Sequence, residues 1–184
     1  RETACGASAN ARWDGNGVKD KVSCVAGGDP TDGARQTYID KYGISRGYAT
    51  VEAMLEAEAP DIVSVCTWHL LHPEPTIAAA DSGVRGVICE KPMAMNAREA
   101  AAMADAANRA QRILAIDFQS RFEWETQQAR EFVSRGLLGS LHFAKSSYLS
   151  RGGVPTWGTF TSQAMHGGGA PLRIGGTSPA QAPD

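Results

Sequence analysis

The stretch Val87-Ile88-Cys89-Glu90-Lys91-Pro92 decides how this chain is read. An apolar run ends abruptly in an adjacent acid and base and is stopped by proline, the pattern of a buried strand reaching its end. In open α/β sheets ligands bind in the crevice outside the carboxyl ends of the strands, so Glu90 and Lys91 would face a cleft. On this stretch alone, a solvated charge pair closing a strand reads equally well.

Upstream, Asp61-Ile62-Val63-Ser64-Val65-Cys66 is a second apolar run, and it ends in Thr67-Trp68-His69-Leu70-Leu71-His72-Pro73. Between the two runs, Pro75 to Ser82 reads as a short helix with proline near its first turn and Gly83 just past its end. Strand, helix, strand makes a parallel pair joined by a right-handed crossover. The tips carrying Thr67 to His72 and Glu90 to Lys91 then emerge side by side.

The same alternation extends in both directions. Val22 to Ala26 reads as a short strand running into Gly27-Gly28-Asp29-Pro30, and helical spacing from Gly33 to Tyr42 stops at Gly43. Val51 to Ala57 makes another short helix. Asn96-Ala97-Arg98-Glu99 is a capping-box-like start for an alanine-rich helix to about Gln111, and Ile113 to Ile116 is the next strand. After that strand the character changes. A helix from about Glu125 to Arg135 ends at Gly136, and Leu141 to Tyr148 alternates as a strand of an antiparallel sheet should. The pattern predicts an α/β chain with a doubly wound parallel sheet in residues 1–118, followed by the beginning of an α+β domain in residues 119–184.

Bulk properties exclude several classes of partner. With 184 residues the chain can bury one good core and part of another. A net charge of -2 and the lack of a basic block argue against nucleic acid or an anionic membrane surface as partner. No stretch approaches the roughly 18 apolar residues of a membrane span. Arg1-Glu2-Thr3 begins no apolar signal segment, so the expected compartment is the cytoplasm. Cys5, Cys24, Cys66 and Cys89 show no Cys-x-x-Cys spacing and read as reduced core thiols rather than metal ligands or bridges.

Cys-Thr-x-x-x-x-His at Cys66 to His72, followed at this distance by Glu90-Lys91-Pro92, resembles the Gfo/Idh/MocA family of NAD(P)-dependent sugar and polyol dehydrogenases. The family usually has proline where this chain has Trp68. The resemblance implies a Rossmann-type dinucleotide-binding domain and hydride transfer between a nicotinamide and a sugar or cyclitol carbon. It gives Lys91 the central catalytic part: a partly desolvated ammonium beside a carboxylate can hydrogen-bond the reacting hydroxyl and exchange its proton. Glu90 would orient that ammonium or the cofactor. His72 would lie near the cofactor, and Thr67 would offer it a backbone group and a hydroxyl; a core histidine and a simple cap are the plainer readings of these two.

Asp29 would accept hydrogen bonds from the adenosine ribose and disfavour a 2′-phosphate, although aspartate before proline is also an ordinary turn residue. The resemblance therefore favours NAD, with NADP the alternative. Gln119-Ser120-Arg121-Phe122 resembles the family's crossing into its second domain, which sets Arg121 near the nicotinamide; a surface charge or a clamp between domains is the other reading. Arg151 to Gly158 resembles a family loop in which Trp157 could cover the substrate, or simply anchor the loop.

Both ends of the chain depart from the family's pattern. A Rossmann fold needs an apolar first strand running into Gly-x-Gly-x-x-Gly/Ala, so that backbone N–H groups cradle the pyrophosphate. Here Arg1-Glu2-Thr3 precedes Ala4-Cys5-Gly6-Ala7-Ser8-Ala9, in which Gly6 matches one of the usual glycines. Most of the first strand is therefore expected to be missing, leaving a gap at the centre of the sheet. Downstream, Gly167-Gly168-Gly169 resembles the glycines that precede the family's Asp-x-x-x-His pair, but Arg173 and Thr177 stand at that spacing and cannot serve as acceptor and proton shuttle. The reading that follows is a truncated dehydrogenase with little turnover of its own, whose full-length parent acts on a sugar or polyol and forms a homo-oligomer. The alternative is a non-catalytic nucleotide-binding or interaction module that kept the cleft.

Overall fold

The computed structural model describes residues 2–6, 22–145 and 147, and for 2–6 the backbone path. The chain divides into two units, Arg1–Ile116 and Asp117–Asp184.

The first unit is built on a parallel sheet. Its strands are β1 (Glu2–Gly6), β2 (Ser23–Gly28), β3 (Arg46–Tyr48), β4 (Ile62–Val65), β5 (Gly86–Glu90) and β6 (Ile113–Asp117), in the order β3-β2-β1-β4-β5-β6. That order is the Rossmann order, with the direction of winding reversing between β1 and β4. β1 pairs in parallel with β2 on one side and with β4 on the other. The gap expected at the centre of the sheet is thus filled by Glu2–Gly6. Pairing on both sides uses main-chain N–H and C=O groups, which any residue but proline provides, so a strand without an apolar run can still hold the central place. β3 is an element the sequence did not announce. Arg-Gly-Tyr has no apolar alternation, and its strand character comes from pairing with Ala26 to Gly28 and from the Asp29 amide donating to the Tyr48 carbonyl at 3.0 Å.

The helices are α1 (Asp32–Tyr42), α2 (Val51–Glu58), α3 (Pro73–Asp81) and α4 (Ala97–Ala110). Their ends follow local chemistry. Thr50 accepts from the Ala53 amide at 3.3 Å at the start of α2, and Asn96 accepts from the Glu99 amide at 3.0 Å at the start of α4. The Glu99 carboxylate returns to the Met95 amide at 3.1 Å, which completes a reciprocal cap one residue wider than the usual box. α1 stops at Gly43, whose left-handed φ of 65° suits glycine. α3 begins at Pro73, two residues earlier than the sequence spacing suggests, with proline in its first turn, where an amide would have no partner in any case.

Core and register follow the strand alternation. Val63 and Val65 of β4 and Val87 and Cys89 of β5 are buried with Met54, Leu55, Ala79 and Met103 from α2, α3 and α4. Ile88 lies between the two buried residues of β5, on the opposite face, and is 41% exposed, so β5 is buried on one face rather than both. On β3, Tyr48 reaches the Glu58 carboxylate of α2, while a Cβ added at Gly47 would come within 2.8 Å of Ile39 Cδ1 in α1. Neighbouring residues of one strand therefore meet helices on opposite faces, which is the doubly wound arrangement.

The second unit contains a short 3-10 turn at Gln119–Phe122 and helix α5 (Trp124–Ser134). Residues 141–145 and 147 form no strand, contrary to the alternation of Leu141 to Tyr148. Alternation marks a face that a strand could bury, but a ladder also requires a partner, and none pairs with these residues among the described ones.

Candidate functional site

Parallel pairing brings the carboxyl ends of the strands to one edge. The register sets Gly6 opposite Gly28 and Cys5 opposite Ser64, while Val65 lies opposite Cys89. The residues that follow these pairs are Asp29, Thr67, Glu90 and Lys91. Four of the positions singled out in the sequence thus leave β2, β4 and β5 at the same edge as Gly6, with β1 lying between β2 and β4.

A cavity of about 260 Å³ opens between the tips of β2 and β4. Its walls include Val51, Met54, Val63 and Leu71, and Asp29 and Thr67 contribute polar groups. An apolar slot with a few convergent polar groups is what a nucleoside requires: walls for the base and an acceptor for the ribose hydroxyls. Asp29 lies in the wall of this cavity. Its amide is fixed by Tyr48, its Oδ1 accepts from the Thr31 amide at 2.8 Å, and its carbonyl accepts from Arg35 Nη1 at 2.5 Å. Arg35 is held on its other side by Asp32.

At the next tip, Glu90 Oε2 accepts from the Lys91 amide at 3.1 Å. Both side chains are half-buried, and the Lys91–Pro92 peptide bond is cis. Neither Glu90 nor Lys91 lines the cavity, so the nucleoside-sized slot and the acid–base pair are separate parts of the edge.

His72 stands between them. The residue is fully buried, its Nδ1 lies 2.9 Å from the Pro92 carbonyl, and its Nε2 lies 3.0 Å from the Thr67 carbonyl. No local sequence signal announced this link, because both partners are main-chain oxygens distant from His72 along the chain. His69 is also buried, with its ring edge-on to that of His72 at 5.8 Å between centroids. Thr67 itself is exposed, and its hydroxyl turns to the Trp68 carbonyl at 3.5 Å.

Behind the tip, burial pushes the Cys89 thiol up to about 12; the Thr76 hydroxyl works against that rise, and Cys66 and Glu90 add to it. Cys24 and Cys66 are half-buried, less enclosed than a core reading suggests, and form no disulfide with another described residue.

Arg121 belongs to the second unit, where it is exposed in the Gln119–Phe122 turn and its carbonyl accepts from the Gln127 amide side chain. Trp157, Gly167 to Gly169, Arg173 and Thr177 lie outside the described residues. Among the described residues no group of three or more His, Cys, Asp or Glu side chains could hold a metal ion, and no helix is long and apolar enough to cross a membrane.

Comparison with known proteins agrees with this geometry. The oxidoreductase family with an NAD-binding Rossmann fold, Gfo/Idh/MocA, matches residues 5–118. D-glucoside 3-dehydrogenase of Escherichia coli K12 is 40% identical over 158 residues, 86% of this chain and 45% of the relative. Myo-inositol 2-dehydrogenase of Thermotoga maritima is 30% identical over 56% of this chain and 30% of its own length. Among solved structures, the WlbA dehydrogenase from Chromobacterium violaceum, in complex with NADH and UDP-GlcNAcA, superposes with a TM-score of 0.69 at 25% identity over 75% of this chain and 41% of that one. Aldose-aldose oxidoreductase from Caulobacter crescentus, complexed with glycerol, gives 0.69 at 25% identity over 93% and 53%. This chain spans less than half the length of the curated relatives named here. Its strand order, its carboxyl-edge residues and the family match across residues 5–118 place it together with them: the chain belongs to the Gfo/Idh/MocA oxidoreductase family and carries that family's NAD-binding Rossmann fold.

Proposed function

We propose that the carboxyl edge of this sheet binds NAD(H), with the Asp29 carboxylate at the adenosine ribose, and that the parent activity is oxidation of a sugar or cyclitol hydroxyl. The observation that carries this reading is the delivery of Asp29, Thr67, Glu90 and Lys91 to one edge by the parallel strands β2, β4 and β5, with β1 between the first two. The nicotinamide, when bound, accepts or supplies the hydride. The protein's part is to position the reacting carbon and to manage one proton. In its neutral amine form Lys91 accepts the proton of the reacting hydroxyl and becomes the ammonium, and the half-buried Glu90 keeps the turn that carries it in place through the Lys91 amide. Asp29 favours NAD over NADP, since a second anion at the ribose would face its carboxylate. Arg121 is assigned to the nicotinamide end and Trp157 to the substrate side.

A glucoside is the substrate class to test first, because the 40%-identical relative is a D-glucoside 3-dehydrogenase. Turnover by this chain is expected to be slight. Arg173 and Thr177 occupy the positions where the family's pattern calls for aspartate and histidine, and neither exchanges a proton at neutral pH as those two do. We assign homo-oligomer formation to the longer parent.

The test combines a fluorescence titration with NADH and an absorbance assay of NAD reduction with methyl glucoside. Saturable NADH binding with negligible reduction is expected. A folded chain with no affinity for NADH would overturn the cofactor assignment, and rapid glucoside oxidation would overturn the assignment of low turnover.

A further inference from the structure

We infer that His72 is a positioning residue: it clamps the turn after β4 to the turn after β5 and thereby sets the place of Lys91 relative to the wall of the nucleotide cavity. The inference rests on the nucleotide-dependent reading of the carboxyl edge given above.

Every polar atom of His72 lies within hydrogen-bond distance of a main-chain group. Its amide donates to the His69 carbonyl at 3.3 Å, its carbonyl accepts from the Thr76 amide at 3.3 Å, and its two ring nitrogens face the carbonyls of Pro92 and Thr67. With the ring fully buried, direct service to a cofactor would break one of these contacts. What the ring can do is join its two partners. Thr67 lines the cavity, and the Pro92 carbonyl directly follows Lys91.

The residue type suits this task. Imidazole carries a nitrogen at each end of a rigid plane: the neutral ring donates to one of the two carbonyls and packs against the other, and the doubly protonated ring donates to both. A histidine that merely filled core space would need one partner from its own neighbourhood. His72 instead bridges two strand tips, one five residues away and the other twenty. The Thr67 turn is also fixed from within, since the Leu71 amide donates to the Trp68 carbonyl at 2.8 Å. Movement of the Pro92 turn is therefore movement of Lys91 against a held reference, and misplacement of a catalytic group by about 1 Å can cost roughly a hundredfold in rate.

The test compares the chain with His72→Phe, which keeps a ring without polar atoms, and His72→Gln, which keeps one donor. Amide exchange is followed at Trp68, His69, Glu90 and Lys91, with Val63 and Val87 as core controls, and affinities are measured for NADH and for ADP-ribose. Faster exchange at both tips with unchanged core exchange is expected. NADH affinity should fall roughly tenfold while ADP-ribose affinity stays within about twofold, because the clamp acts on the Lys91 side of the edge. His72→Gln should fall between the two, and it carries the test if His72→Phe does not fold. Unchanged exchange at the tips, or equal loss of both ligands together with faster core exchange, would overturn the positioning role. If neither ligand binds the unaltered chain, but both tips loosen together in the variants, the clamp stands and the nucleotide reading fails.

Discussion

His72 and Pro92 meet through an imidazole nitrogen and a main-chain oxygen 2.9 Å apart, and the same ring lies 3.0 Å from the Thr67 carbonyl. This contact ties the two strand tips that carry the candidate chemistry. The edge is organised by main-chain geometry as much as by its side chains.

Asp29 should govern cofactor choice. Replacing Asp29 by Ala removes the charged acceptor at the ribose, and loss of such a hydrogen bond costs about 1.5–3 kcal/mol, or roughly ten- to a hundredfold in NADH affinity. NADPH affinity should fall less or rise, since the repulsion of a 2′-phosphate goes with the carboxylate. Parallel titrations with the two reduced nucleotides check this; equal losses for both would remove Asp29 from the discrimination.

Cys89 should resist alkylation in the folded chain. With its thiol raised from 9.0 to about 12 by burial, the thiolate fraction at pH 8 is roughly a thousandfold below that of an ordinary cysteine. The sign for stability follows from the same shift. The folded state favours the neutral thiol, so this contribution is fully present below about pH 9 and is lost as pH rises from there toward 12, where the unfolded chain ionises first. Iodoacetamide labelling followed by peptide mapping, with and without denaturant, measures the protection.

Gly47 should tolerate a methyl group only if the Ile39 side chain of α1 shifts. A Cβ there comes within 2.8 Å of Ile39 Cδ1, the far end of a flexible side chain. Gly47→Ala is expected to cost about 1–2 kcal/mol by overpacking, and Ile39→Val in the same chain should recover part of it. Denaturant melts of the single and double variants decide; additive losses would place the cost elsewhere.

Asn96 should matter as a cap. Its side chain accepts the Glu99 amide at 3.0 Å, and Asn96→Ala is expected to destabilise the chain by about 1 kcal/mol. Asn96→Ser should restore most of that in the same melts.

Much of this arrangement was legible in the residues. The abrupt ends at Cys66 and Glu90, the proline and glycine that bracket α3, and the cap at Asn96 are local signals of strand, helix and crossover, and the sheet follows from them. β1 and β3 were not legible, because Glu2–Gly6 and Arg46–Tyr48 become strands through main-chain pairing with neighbours that any sequence could supply. The alternation of Leu141 to Tyr148 misled for the converse reason: a suitable face is no strand without a partner. The positions of Asp29, Thr67, Glu90 and Lys91 after strand ends were legible, and the fold sets them there. The partners of His72 could not, since two carbonyl oxygens leave no mark in the sequence.

The most direct test of the central claim is a fluorescence titration of the 184-residue chain with NADH, with ADP-ribose as competitor. Saturable binding of one NADH per chain, displaced by ADP-ribose, is the predicted result. A chain that unfolds cooperatively and yet shows no saturable NADH binding would contradict it.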